Sequence, residues 1–313
     1  MKIKIAFLCL AHNNFEYLKE LKRYCVSDDD SFFLHVDSKA EFDNKSFRGK
    51  NVYLIGNEDR VNTKWGTFSI VEATIKLMEM AKTQCDYDYY ILLSGYDIPL
   101  RSKTTLKKEL EKHHGIISVW NSCEFNNPKS VENLKISCRD VNKYMKKRIY
   151  QEFFHYHNYN FQFMNLGYLQ NQPSRVRLYI GVFLKRLLSK LKSNKNFDFK
   201  KYYKGSQWWA INESMVDYCL EFNRAEQFHH MHAPDEKYFH TLLMNSVFKN
   251  QMTVSNGNEF LEGTHYIRWE SDGMKEIGTE NFNLAIASEA LFTRKLNINN
   301  KEFFINHIRS ITS

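Results

Sequence analysis

Residues 89–100 (YYILLSGYDIPL) hold an apolar segment from Tyr89 to Leu93 that breaks at Ser94-Gly95 and delivers one carboxylate, Asp97. Pro99 then stops a strand or helix from continuing. Open α/β sheets place their chemistry outside the carboxyl ends of the strands, so an acid here suits catalysis or ligand binding. The same Asp also suits a plain turn cap, and the pattern leaves both readings open. His35-Val36-Asp37 ends another apolar run in the same way. Arg294-Lys295 follows Ala290-Leu291-Phe292, and two adjacent cations fit either a diphosphate clamp or a solvated face. Asp86-Tyr87-Asp88 imitates a DxD metal motif, but it precedes its strand and is expected at the opposite end of the sheet from Asp97. The histidines at 155/157 and 229/230/232 lack zinc-type spacing. There is no P-loop, GxGxxG or GxSxG.

These residues need elements to hold them. Lys4–Leu10, Ser31–Val36 and Val52–Ile55 read as strands ahead of the one that ends at Leu93. Asn14–Tyr24 reads as a helix. Ser69 to Glu72 has the form of a capping box, ahead of a stripe of Ile70, Ala73, Leu77 and Ala81. Alternating strands and helices predict a mostly parallel sheet with helices on both faces and Asp37 and Asp97 on one edge. The second half is less regular. Residues 139–168 are rich in Tyr, Phe, His and Asn, and 175–192 have the pattern of a basic amphipathic helix. GSQWWAIN (205–212) reads as a glycine turn and a short strand, and Asp217–Phe222 as a helix. Pro234-Asp235-Glu236 is expected to open a helix over Lys237–Met244.

The 313 residues are 43% apolar and include only 4 Pro, with no flexible linker, which predicts one continuous globular domain with insertions. The apolar run Ile5–Ala11 is far shorter than the roughly 20 residues of a membrane span, and no cleavage site follows it. Six scattered cysteines without a CxxC pair fit a reducing cytosol. The net charge of +8 is concentrated at 175–204, where ten Lys and Arg face Asp198 alone. That segment suits peripheral contact with anionic lipid through 175–192, or a packed helix with solvated lysines. A non-enzymatic polyanion-binding module is the alternative of another class. Against it, the charge is confined to one segment and no nucleic-acid motif occurs.

Seven segments in order resemble one family: LAHNNFEYLKEL (10–21), FLHVDSK (33–39), VNTKWGTFSIVEATIKLM (61–78), YYILLSGYDIPLRS (89–102), GSQWWAI (205–211), APDEKYFHTLL (233–243) and ALFTRKL (290–296). The chain resembles the core-2/I-branching β-1,6-N-acetylglucosaminyltransferase and peptide O-xylosyltransferase family, glycosyltransferase family 14. The resemblance implies an α/β fold, a single glycosyltransferase-A type (Rossmann-like) domain over 1–313. Residues 1–118 would form the nucleotide-sugar half, 119–204 a variable insertion and 205–313 the acceptor and catalytic half. It implies a UDP-sugar donor, N-acetylglucosamine or xylose, with inversion and no metal or other cofactor. On the donor side it implies Val36, Asp37, Ser38, Asn62, Lys64, Trp65, Tyr96 and Arg268, with Arg294 and Lys295 on the diphosphate. On the acceptor side it implies Ser206, Gln207 and Trp208. The family's two branches offer two bases, Glu236 and Asp97. Glu236 is favoured here, with Asp97 orienting a sugar hydroxyl. The implied partners are a glycan or lipid-linked glycan acceptor and no nucleic acid. The expected setting is the bacterial cytoplasm, at or near the inner face of the membrane.

Overall fold

A computed structural model of the chain describes residues 3–124, 199, 201–222, 224–229, 233–255, 260–270 and 273–312. The expectations for 139–168 and 175–192 lie outside the described residues. Strands β1 (Ile5–Ala11), β2 (Ser31–Val36), β3 (Val52–Leu54) and β4 (Tyr89–Ser94) pair in parallel, β1 lying between β2 and β4. Their continuous apolar character has a direct cause, since successive side chains point to opposite faces and both faces are covered. Ile5, Phe7, Cys9 and Ala11 enter one core cluster with Phe32, Leu34, Val36, Ile91 and Leu93. Ala6 and Leu8 enter the other with Phe33, Tyr90 and Leu92. Each fully buried Ile, Leu or Phe among them contributes about 1.5–3 kcal/mol.

The helices Phe15–Cys25, Lys103–Leu110 and Lys301–Thr312 cover the first face through residues such as Leu21, Leu106 and Phe304. Ser69–Lys82, Glu213–Glu221 and Tyr238–Met244 cover the second through Leu77, Met215 and Leu242. β6 (Gly115–Ser118), β9 (Ala210–Asn212) and β10 (Met252–Ser255) complete a seven-stranded sheet of order β10-β6-β9-β4-β1-β2-β3. β9 alone among these runs antiparallel to its neighbours β4 and β6. A ribbon of β7 (Asn121–Glu124) and β8 (Lys201–Lys204) stands beside it. A smaller sheet of β11 (Leu261–Glu262), β12 (His265–Ile267), β15 (Phe292–Arg294) and β5 (Ile98–Pro99) sits past the end of β4, and β13 (Trp269–Glu270) pairs with β14 (Gly273–Met274).

Three local expectations change. The capping box does not form: the helix begins at Ser69 after Phe68, and the Ser69 hydroxyl accepts the Lys64 N–H at 2.8 Å instead. The helix expected from Asp217 begins at Glu213, because Asn212 caps it by accepting the Met215 N–H at 3.1 Å. Pro234–Glu236 is a separate 3₁₀ turn, and Lys237, at φ −137°, interrupts it before the helix at Tyr238. Among the described residues, no helix is long and apolar enough to cross a membrane.

Candidate active site

The strand order changes direction at β1, because β2 and β3 extend to one side and β4 to the other. In a doubly wound sheet, that point opens the crevice that holds a ligand. Asp37 leaves β2 on one side of it, and the turn with Tyr96 and Asp97 leaves β4 on the other. Asp86 and Asp88 lie at the opposite edge, where Asp88 accepts the Lys4 N–H at 2.7 Å.

Asp97 is fully buried. One carboxylate oxygen accepts the Ser94 N–H at 2.6 Å and the other the Ser94 hydroxyl at 2.7 Å. The ladder between β5 and β15 pairs Ile98 with Thr293, which sets Asp97 across from Arg294, with Nε 3.8 Å from the carboxylate. His265 Nε2 approaches from β12 at 3.1 Å. Burial would raise the Asp97 pKa, but Arg294 and His265 outweigh it and hold it below the usual value. Arg294 lies over the Trp208 ring at 4.1 Å, and His265 tilts against the same ring. Burial pulls the Arg294 pKa down against the support of Asp97 and Asp235. Lys295, just past β15, turns to the Tyr96 ring at 4.9 Å and to Glu276 at 3.7 Å. His12, just past β1, stacks on Tyr96.

The loop after Asp37 joins the segment at 61–66. Asp37 accepts the Lys39 N–H at 2.8 Å and the Thr63 hydroxyl, and Ser38 donates its N–H to Val61 O at 3.2 Å. Burial would raise the Asp37 pKa, but these bonds leave it below normal. Val36 is buried; Ser38, Asn62, Lys64 and Trp65 are exposed. The loop is tied to the Pro234–Glu236 turn through Ala233 N–H to Gly66 O at 3.0 Å. Arg268 lies one residue beyond the pairing of Ile267 with Arg294, and its guanidinium bonds Glu270 at 2.7 Å.

Because β9 runs backwards, the residues that precede it reach the same edge. Gly205 passes so close to β6 that a Cβ there would lie 1.8 Å from Ser118 O. Ser206 is buried and donates its N–H to the Ser118 hydroxyl at 2.5 Å; Gln207 is half-buried and Trp208 is buried. Gly205 N–H also bonds Glu236 O at 2.9 Å, which joins this segment to the acidic turn. Glu236 has a side chain 14% exposed and pairs with Lys204 at 3.3 Å. Beneath it, His240 is buried, its pKa lowered to about 4 chiefly by burial.

A family model for the Core-2/I-Branching enzyme matches residues 5–294 of this chain. The chain belongs to the Core-2/I-Branching enzyme family. Membership makes it a glycosyltransferase, which works on a sugar donor and an acceptor, and the matched span holds nearly all of the residues just described. No protein of curated function matches this sequence. The edge of this family member's sheet gathers Asp37, Tyr96, Asp97, Trp208, Asp235, Glu236, Arg294 and Lys295. Four further residues were not singled out in the sequence: Lys204, Glu262, His265 and Trp120. Lys204 has a visible signal, its place just before GSQWW. Glu262 and His265 lie on strands of two and three residues, too short for any periodicity.

Proposed function

We propose that this chain transfers a sugar, with N-acetylglucosamine favoured, from a UDP-sugar to a glycan hydroxyl with inversion and without a metal. The pathway would be bacterial surface polysaccharide or glycoconjugate synthesis on the cytoplasmic side. The observation that carries the assignment of roles is the contrast between the two acids. Asp97 is fully buried and engaged by Ser94, His265 and Arg294. Glu236 keeps partial exposure beside Lys204 at the acceptor edge. A base must reach the hydroxyl that it deprotonates, and Glu236 is the one with access.

The step is a direct displacement. The acceptor oxygen bonds to C1 of the donor as its proton passes to Glu236. The bond from C1 to the β-phosphate oxygen breaks, and UDP departs with the electron pair. The charge that grows on the diphosphate faces Lys295, with Arg294 behind it, held by Asp97 and Trp208. Preorganised charges of this kind are worth about 3–4 kcal/mol per donor. Asp37 and its partners in 61–65 hold the nucleoside end.

The test is UDP binding by calorimetry in EDTA, together with UDP release from UDP-N-acetylglucosamine. Wild type binds UDP in EDTA, Lys295→Ala weakens binding, and Glu236→Gln binds UDP normally but loses at least ~10²-fold in kcat, the scale of a lost general base. Binding that needs a divalent cation removes the metal-free reading. Near-normal turnover by Glu236→Gln beside an inactive but folded Asp97→Asn passes the base role to Asp97.

A further inference from the structure

Glu262 has no part in the mechanism above, yet it is built into the same edge. It is 3% exposed. One of its oxygens accepts the Trp120 indole N–H, and the other accepts the Trp269 indole N–H at 3.1 Å. The buried Glu262 carboxyl group thus accepts from opposite sides, from Trp120 just past β6 and from Trp269 on β13. Lys204 Nζ lies 5.2 Å above the Trp120 ring and 3.3 Å from Glu236. A line of contacts therefore runs from Trp269 through Glu262, Trp120 and Lys204 to Glu236. The backbone fixes this line. Glu262 and His265 face each other across a two-residue hairpin. Gly263, at its first central position, has φ +64°, and a Cβ there would strike Trp208 O at 2.2 Å. Only glycine fits a turn that is both left-handed and this close.

We propose that Glu262 is a positioning residue for the transfer: by capping both indoles it fixes the Trp120 ring under Lys204, and thereby sets where Lys204 holds Glu236. The inference rests on Glu236 being the base. Charge strengthens the argument. The groups that face Glu262 are Glu236 and Lys204, with His265 across the hairpin turned to Asp97. Burial is the main cause that raises the Glu262 pKa to about 8; the indole bonds and Lys204 oppose it, and Glu236 adds to it. At neutral pH Glu262 thus carries its proton and adds no second negative charge beside Glu236. Above pH 8 it ionises and competes for the field of Lys204.

Tryptophan emission followed from pH 6 to 10 on the whole protein tests the coupling, because an acid that ionises against two indoles changes their emission. The expected result is a transition near pH 8 that is absent in Glu262→Gln. It moves down in Glu236→Gln, which removes a repelling charge, and up in Lys204→Met, which removes an attracting one. Glu262→Gln, which keeps the shape but sets an amide against one indole, lowers UDP release from UDP-N-acetylglucosamine on the order of tenfold, as misplacement of a catalytic group does, and leaves UDP affinity unchanged. A transition that ignores both Glu236→Gln and Lys204→Met, or that persists in Glu262→Gln, overturns the proposal. If the coupling appears while Glu236→Gln still turns over, the base assignment has failed and the coupling has not.

Discussion

Asp97→Asn separates an anchor from a base. The asparagine keeps the shape of the side chain and can keep the Ser94 N–H, because its carbonyl can occupy the position 2.6 Å from that donor. The Ser94 hydroxyl can turn to accept from the new amide. What cannot be kept is the charge. Arg294, with a side chain 15% exposed, then lies over Trp208 without the carboxylate 3.8 Å from its Nε. Removal of one partner from a buried pair costs about 3–5 kcal/mol. The separation, the residual exposure and the support of Asp235 place this case just below that range, at about 2–3 kcal/mol. At about 2–4 °C per kcal/mol for a chain of this size, the melting temperature falls by about 4–12 °C at pH 7. UDP affinity falls with it, since Arg294 loses its orientation. The loss also depends on pH. The Asp97 pKa is depressed in the fold, so its contribution is present above the ordinary carboxylate value and disappears as the wild type is acidified below it. The difference between wild type and variant therefore closes toward acid pH. Thermal melts from pH 3 to 7 and UDP calorimetry read this directly. A variant that melts with wild type and binds UDP equally well, yet is inactive, refutes the anchor argument and makes Asp97 a group that acts on the reacting hydroxyl.

Two further outcomes follow from geometry. Gly205→Ala forces a Cβ against Ser118 O, and backbone cannot rotate away as a side chain does; the expected loss is about 3 kcal/mol in urea unfolding, the upper range for overpacking, and a loss under ~0.5 kcal/mol would place the strand ends farther apart than described. His35 accepts the Val61 N–H on Nε2 at 2.8 Å, and its pKa is lowered from 6.5 to about 4, chiefly by burial. The unfolded chain takes up that proton first, so stability rises with pH between about 4 and 6.5, and His35→Gln, compared by urea midpoints at the two ends of that window, shows a shallower rise.

The strands that carry Asp37 and Asp97 were legible because burial on both faces leaves an unbroken apolar run, and a shared strand direction fixes a shared edge. The bond between Ser69 and Lys64 was not legible: whether a serine caps a helix or receives a preceding N–H depends on the 64–67 turn, which pattern does not encode. The direction of β9 was hidden as well, since three residues suit either orientation. Asp97 was visible as a chemical group, but its engagement with Arg294 and His265 depends on a small sheet assembled from four short strands, three of them from the last fifth of the chain. Glu262 stayed hidden for a related reason, since its meaning lies in an indole seven residues on, at Trp269, together with one 142 residues away, at Trp120.

The reversal of β9 has a consequence for how this fold can vary. β6 leaves the sheet at Ser118 and β9 re-enters it at Ala210, and both points lie on the edge that holds Asp97. The described ends of the intervening stretch, 119–124 and 201–209, both start from that edge and bring Trp120, Lys204 and Trp208 to it. Loop closure grows only slowly more costly with length, by about 0.6 kcal/mol per doubling. Chain length between Glu124 and Lys201 can therefore change at little closure cost while the pairing of β7 with β8 keeps Trp120 and Lys204 in place. A chain built this way can change what it glycosylates without rebuilding how it does so.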